Sequence, residues 1–292
     1  MQIPTCNSAW ASSLTRTEPG LNPAVGQAAI HFPPVGSRVT LQPVAVPLNI
    51  WRLLGMILAS ALLWMHYVQV KDRRQPEPRR CLLIAFLLGF VAWGFSALGY
   101  MVLEALGAPG LKFNERPWTA VFCFGIVGPL EEGAKVLMAY CFVFHWREFD
   151  EPMDGFVYAS AISLGFASVE NFCNIAELAW QEQLAHTAAL PLIHMLFGAI
   201  WGFGIGHARF CVPRASRRVL WQVGSIALGM FAHGLYDFLL FAYQATFVTS
   251  GFALALWLFV IWRARALANL PGAPTATPAR ADAINSPPPD RR

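Results

Sequence analysis

The chain has 292 residues, of which 56% are hydrophobic and only 13% charged, with a formal net charge of +4. A soluble domain carries roughly 25% charged residues, so the composition excludes an ordinary soluble fold. The positive balance is not a nucleic-acid footprint, because the basic residues sit in short loops between apolar runs, where they orient a membrane protein.

Residues 1–47 are rich in Pro, Ser, Ala and Thr and show little periodicity. They lack a basic stretch followed by an apolar one, so they read as a disordered extension, or as residues ahead of the true start, and not as a signal peptide. Seven apolar spans follow, at 48–68, 81–103, 118–144, 153–179, 188–208, 219–241 and 245–262. Each is long enough to cross a hydrocarbon core of about 30 Å. Together they form one membrane domain, 48–265. The Pro- and Ala-rich stretch 266–292 reads as a disordered tail. No internal repeat is visible, which weighs against the repeat-built transporter folds. The six cysteines include no CxxC pair, and four lie inside apolar spans. They read as small hydrophobes and not as a disulfide framework.

Loop charges set the orientation. Lys71, Arg73, Arg74, Arg79 and Arg80 follow the first span, Arg147 follows the third, and Arg209, Arg214, Arg217 and Arg218 follow the fifth. Arg263 and Arg265 follow the last. The segments 180–187 and 242–244 carry no Lys or Arg. The loop before Pro117 holds only Lys112 and Arg116. Basic loops face the cytoplasm, so the reading places the N-terminus outside and the C-terminus inside, in a bacterial inner membrane.

Ionisable groups inside a bilayer cost several kcal/mol each and mark function. They cluster here in four successive spans: Glu131, Glu132 and Lys135; Glu170, followed by Asn171; His194; and His233 with Asp237. Lys135 is one turn from both glutamates, and Asp237 is one turn from His233. His194, Gly198, Gly202 and Gly206 form a four-residue stripe whose glycines suit close helix approach. At about 1.5 Å per residue, Glu170, His194 and His233 lie roughly 9–14 Å below the outer surface, with Glu131 deeper. The expectation is an all-α polytopic membrane protein of about seven helices around a polar cavity opening outward. With neutral histidines, four carboxylates against Lys135 leave three negative charges in low dielectric. Such a site must protonate, hold charged histidines or bind a cation.

These residues stand in an order that resembles the PrsW family of intramembrane proteases, relatives of the type II CAAX prenyl endopeptidases and the bacteriocin-processing membrane proteins. The resemblance runs from about residue 50 to 240. It rests on Lys71-Asp72-Arg73 with Pro76-Glu77-Pro78; Glu131-Glu132-Gly133-Ala134-Lys135; Asp154-Gly155 leading to Leu164 through Asn171; Pro191-Leu192-Ile193-His194; and His233-Gly234-Leu235-Tyr236-Asp237. The pattern departs at two places: no Arg precedes Pro191, and Phe172 and Cys173 follow Asn171 where the family often has Tyr. The resemblance implies hydrolysis of a peptide bond in a single-pass or otherwise membrane-anchored protein, such as an anti-sigma factor. It implies Glu131 or Glu132 as general base with Lys135 as charge partner. Glu170, His194 and His233 would be zinc ligands, a His₂Glu set, or, without metal, transition-state stabilisers. Asp237 would orient His233. HExxH is absent. The rival readings are a proton- or cation-coupled transporter and a non-enzymatic membrane sensor or scaffold. Intact buried carboxylates and histidines argue against the scaffold.

Overall fold

The computed structural model describes residues 49–72, 75–108, 115–174 and 180–268. The expected disordered segments 1–47 and 266–292 lie outside these residues, except at 266–268. Every regular element described is helical. Helix α1 spans Asn49–Lys71 and α2 spans Arg79–Ala105. Pro78 precedes α2 at φ −59°, ψ 130°, a backbone that proline allows and a helix does not, which fixes where α2 begins.

The third expected crossing is a helix in three pieces: α3 (Arg116–Phe122), a π segment (Cys123–Val127) and α4 (Gly128–Cys141). Pro117 sits in the first turn, where its missing N–H costs nothing. Pro129 sits just beyond the π segment. A proline inside a helix clashes with the carbonyl four residues back and leaves it without a donor. The wider π turn ahead of Pro129 relieves both, and such bulges cluster at functional sites. Then come α5 (Asp154–Asn174), α6 (Trp180–Cys211), α7 (Ala215–Tyr243) and α8 (Thr246–Ala268). Six of these helices are each long and apolar enough to cross a membrane. The broken helix α3–π–α4 occupies the remaining expected span. The protein is an all-α integral membrane protein.

Helix α5 is the central post. Its most apolar window is 78% buried, against 17% for α8. Leu58, Leu62, Leu83, Leu98, Leu220, Leu254 and Leu258 stand exposed on the outer helices, which is the belt a lipid-facing surface needs. The centre is tight because backbones touch. A Cβ added at Gly165 or Gly89 would strike the backbone of the other helix of the α2–α5 pair. The stripe on α6 does the same against α5: Gly202 faces Gly155, and Gly198 faces Ser163. Small residues are what allow this approach in membranes.

Contacts between loops group the ends of the helices. Arg80 pairs with Glu148 at 3.0 Å, and Arg209 donates to the Phe144 carbonyl at 2.6 Å. These contacts bring the loops after α1 and α4 and the end of α6 to one end of the bundle. At the other end Arg52 donates to Gln183 at 3.3 Å and Arg116 lies 4.8 Å from the Tyr243 ring.

The first of these ends holds a buried acidic group: Asp72, Glu77, Glu151 and Asp154. Asp154, the first residue of α5, accepts from the backbone N–H of Asp150 and Glu151, both at 2.7 Å, and so holds the preceding loop against the helix start. Tyr158 donates to Glu77, and Asp72 shares a hydrogen bond with Glu151. Burial, then the neighbouring Glu151 and Glu77, push the Asp72 carboxyl up to about 9 from 3.8. The folded state therefore holds a proton that the unfolded chain releases near 3.8. Its contribution is complete below that value and is lost as pH rises toward 9. In detergent, the wild-type melting temperature should fall across this range, and Asp72→Asn should flatten the fall. An equally steep decline in the variant would show that Asp72 is not its source.

Candidate active site

Four helices bring their charged side chains together. Glu132, just past the first turn of α4, is completely buried. Its Oε1 accepts from Lys135 Nζ at 2.7 Å and from His233 Nδ1 at 2.9 Å. Its Oε2 accepts from the indole Nε1 of Trp201 at 2.9 Å. Three donors on one ionised carboxylate are what a charge in low dielectric requires. A carboxylate only accepts, so His233 carries a proton on Nδ1, and Nε2 faces Glu131 and Asp237. The ring is held flat against Phe197, with centroids 4.7 Å apart and planes at 21°.

Lys135 also reaches His194 Nδ1 at 2.8 Å, with its ammonium 4.1 Å from the Phe166 ring centre. An ammonium only donates, so His194 Nδ1 accepts and the ring proton lies on Nε2. That nitrogen is 2.9 Å from Glu170 Oε2, though without hydrogen-bond geometry. The two histidine rings stand perpendicular, with centroids 5.2 Å apart.

Glu131 faces a different direction. Tyr100 of α2 donates to its Oε1 at 3.1 Å. Its Oε2 is buried without a hydrogen-bond partner among the described residues and lies 3.7 Å from His233 Nε2. Asp237 Oδ2 is 3.5 Å from the same nitrogen. Asp237 therefore approaches the cavity side of the ring. The residue that orients His233 through Nδ1 is Glu132.

All seven ionisable residues singled out in the sequence belong to this cluster. Lys135, which spacing left free to pair with either glutamate, pairs with Glu132. Two contributors carry no charge and were missed: Tyr100 and Trp201. Trp201 had a signal, since it lies seven residues after His194 and helical periodicity puts both on one face. Tyr100 had none, because nothing local in α2 links it to Glu131.

The donor set fits a metal ion. Glu131, His194 and His233 each offer a ligand atom, all within 4.8 Å of one another, and all three residues are buried. Two ligands of a tetrahedral zinc at bond lengths of about 2.0–2.1 Å stand roughly 3.3–3.4 Å apart. The orphaned Glu131 Oε2 and His233 Nε2, at 3.7 Å, are close to that spacing. Glu170 touches this group through His194 without belonging to it.

A family model described as "PrsW family intramembrane metalloprotease" matches residues 77–264. Curated relatives named "Protease PrsW" agree. One from Geobacillus kaustophilus (strain HTA426) is 36% identical over 202 residues, 68% of this chain and 85% of the relative. One from Bacillus subtilis (strain 168) is 32% identical over 210 residues, 71% and 92% of the two chains. One from Halalkalibacterium halodurans is 30% identical over 221 residues, 74% and 97%. No solved structure matches the chain. The match spans all the helices that build the carboxylate–histidine cluster, and the chain belongs to the PrsW family of intramembrane metalloproteases.

Proposed function

We propose that this cluster hydrolyses a peptide bond in a membrane-anchored protein, such as an anti-sigma factor, with a divalent cation, zinc by its ligand chemistry, held by Glu131, His194 and His233. The supporting observation is the buried Glu131 Oε2, without a hydrogen-bond partner among the described residues, facing the Nε2 of His233 at 3.7 Å. An ion there supplies Lewis-acid polarisation of the scissile carbonyl and acidifies a water to be activated. Ligands bind deprotonated, so the Lys135–His194 pair gives up one proton when His194 joins the set.

The remaining roles follow from geometry. Glu132, with no exposed side-chain surface and three donors on its two oxygens, is closed to a substrate water and serves as the anchor of His233. Glu170 is the general base: its Oε2 lacks a hydrogen-bond partner, and its side chain is 20% exposed where those of the other two glutamates are nearly closed. It takes the proton of the attacking water and returns it to the leaving amine. Asp237, 13% exposed and facing His233 Nε2, shapes the same pocket. In the proposed orientation the basic loops are cytoplasmic and the cavity opens toward the outer side of a bacterial inner membrane.

Three outcomes test this reading. Glu131→Gln and Glu170→Gln should each cut the cleavage rate of a single-pass substrate in detergent by about 10²–10⁴-fold. Only the first should also lose stoichiometric metal. Full activity in either variant would remove that residue from its role. Chelation should silence the wild type and zinc restore it, whereas purified, metal-free protein that still cuts would rule the ion out. Topology reporters joined in the 71–80 and 209–218 loops should read cytoplasmic, and one joined at Ala185 external. A cytoplasmic signal at Ala185 would invert the site.

A further inference from the structure

We infer that Trp201 is a positioning residue of the active site: its indole N–H fixes Glu132 and, through Glu132, the ring of His233. The inference rests on the reading of His233 as a ligand. Trp201 is completely buried on α6, so it cannot touch a substrate. Its one polar atom donates to Glu132 Oε2 at 2.9 Å. It is the only described donor to that oxygen, since Lys135 and His233 both engage Oε1. Without it the carboxylate would be held at one oxygen and free to swing about its terminal torsion, which is broad and poorly restrained on its own. The partner that would swing with it is Nδ1 of His233.

The helices are shaped to hold the indole there. Gly229 on α7, one turn before His233, faces the ring, and a Cβ at Gly229 would come within 3.0 Å of Trp201 Cδ1. Trp201 also follows His194 by seven residues, so α6 carries one histidine at the cation site and, two turns deeper, the donor that steadies the other. Outer partners that orient ligating groups are typically worth about 10- to 100-fold in metal affinity or activity. A bulky indole in a membrane helix interior has a plain packing role as well. The feature that packing does not require is the aim of its N–H at the one unclaimed oxygen of a buried anion.

The test uses the full chain in detergent and compares the wild type with Trp201→Phe, with Glu132→Gln and with both together. A second version of position 201 carries benzothienylalanine, which keeps the indole shape and replaces N–H by sulfur. Readouts are zinc retained against graded chelator, kcat and KM on a membrane-anchored substrate, melting temperature, and the ¹⁵N shifts of the His233 ring. The expected result is a loss of kcat and of zinc retention by about 10- to 100-fold with KM within twofold. The benzothienyl chain should melt as the wild type does, the His233 ring should lose its single Nδ1–H form, and adding Trp201→Phe to Glu132→Gln should cost nothing further. Wild-type kcat, zinc retention and ring shifts in the benzothienyl protein would overturn the inference. So would additive losses in the double variant, because independent effects add and a shared one does not. A wild type that neither holds zinc nor cuts would instead overturn the parent reading, while the His233 shifts still decide whether Trp201 controls that ring.

Discussion

The carboxylate of Glu132 is the constraint on which the rest of the structure depends. It is fully buried in the interior of a membrane protein, and an isolated charge there would be prohibitively unstable. It survives because donors from α4, α6 and α7 converge on it: Lys135, Trp201 and His233. Each donor in turn fixes something else. Lys135 sets the proton on His194, and Glu132 itself sets the proton on His233. The polar network is therefore a single unit, and removing one member leaves the others unsatisfied in low dielectric.

Such convergence needs close helices, and the glycines and prolines supply that closeness. Gly128 of α4 comes against the backbone of Met230, and Gly234 of α7 against the carbonyl of Cys123. The two glycines lie within a few residues of Glu132 and His233, so the helix crossing and the buried pair occupy one place. The π turn before Pro129 lets α4 start there without a clash. Helix α5 packs against α2 and α6 through further glycines, and Glu170 sits near its end where burial gives way to partial exposure. Tight packing in the middle and openness at one end is the arrangement a water-dependent reaction needs inside a bilayer.

The two glutamates of the EExxK motif illustrate how neighbours in sequence acquire different chemistry. They lie about 100° apart around the helix. Glu132 points inward to a ring of donors. Glu131 points to Tyr100 and leaves one oxygen facing His233 without a hydrogen bond. One carboxylate is thus satisfied by donors, and its neighbour keeps an oxygen without a hydrogen bond beside an imidazole nitrogen. Family membership supports the metal reading independently, since the matching family is described as metalloproteases.

The sequence by itself determined the membrane character, the helices to within a few residues at most ends and the seven ionisable residues of the cluster. These follow from local rules: apolar length against bilayer thickness, helical periodicity and the cost of burying charge. It missed the early start of α6 at Trp180 and the π break in the third crossing, where a proline and a tertiary crossing act together. The partner of Lys135, the different contacts of Glu131 and Glu132, the hydrogen bond of His233 Nδ1 to Glu132 and the contacts of Tyr100 and Trp201 were decided only in three dimensions. Each of these depends on how helices distant in sequence rotate and press together, and periodicity fixes the faces of one helix without fixing which face meets which.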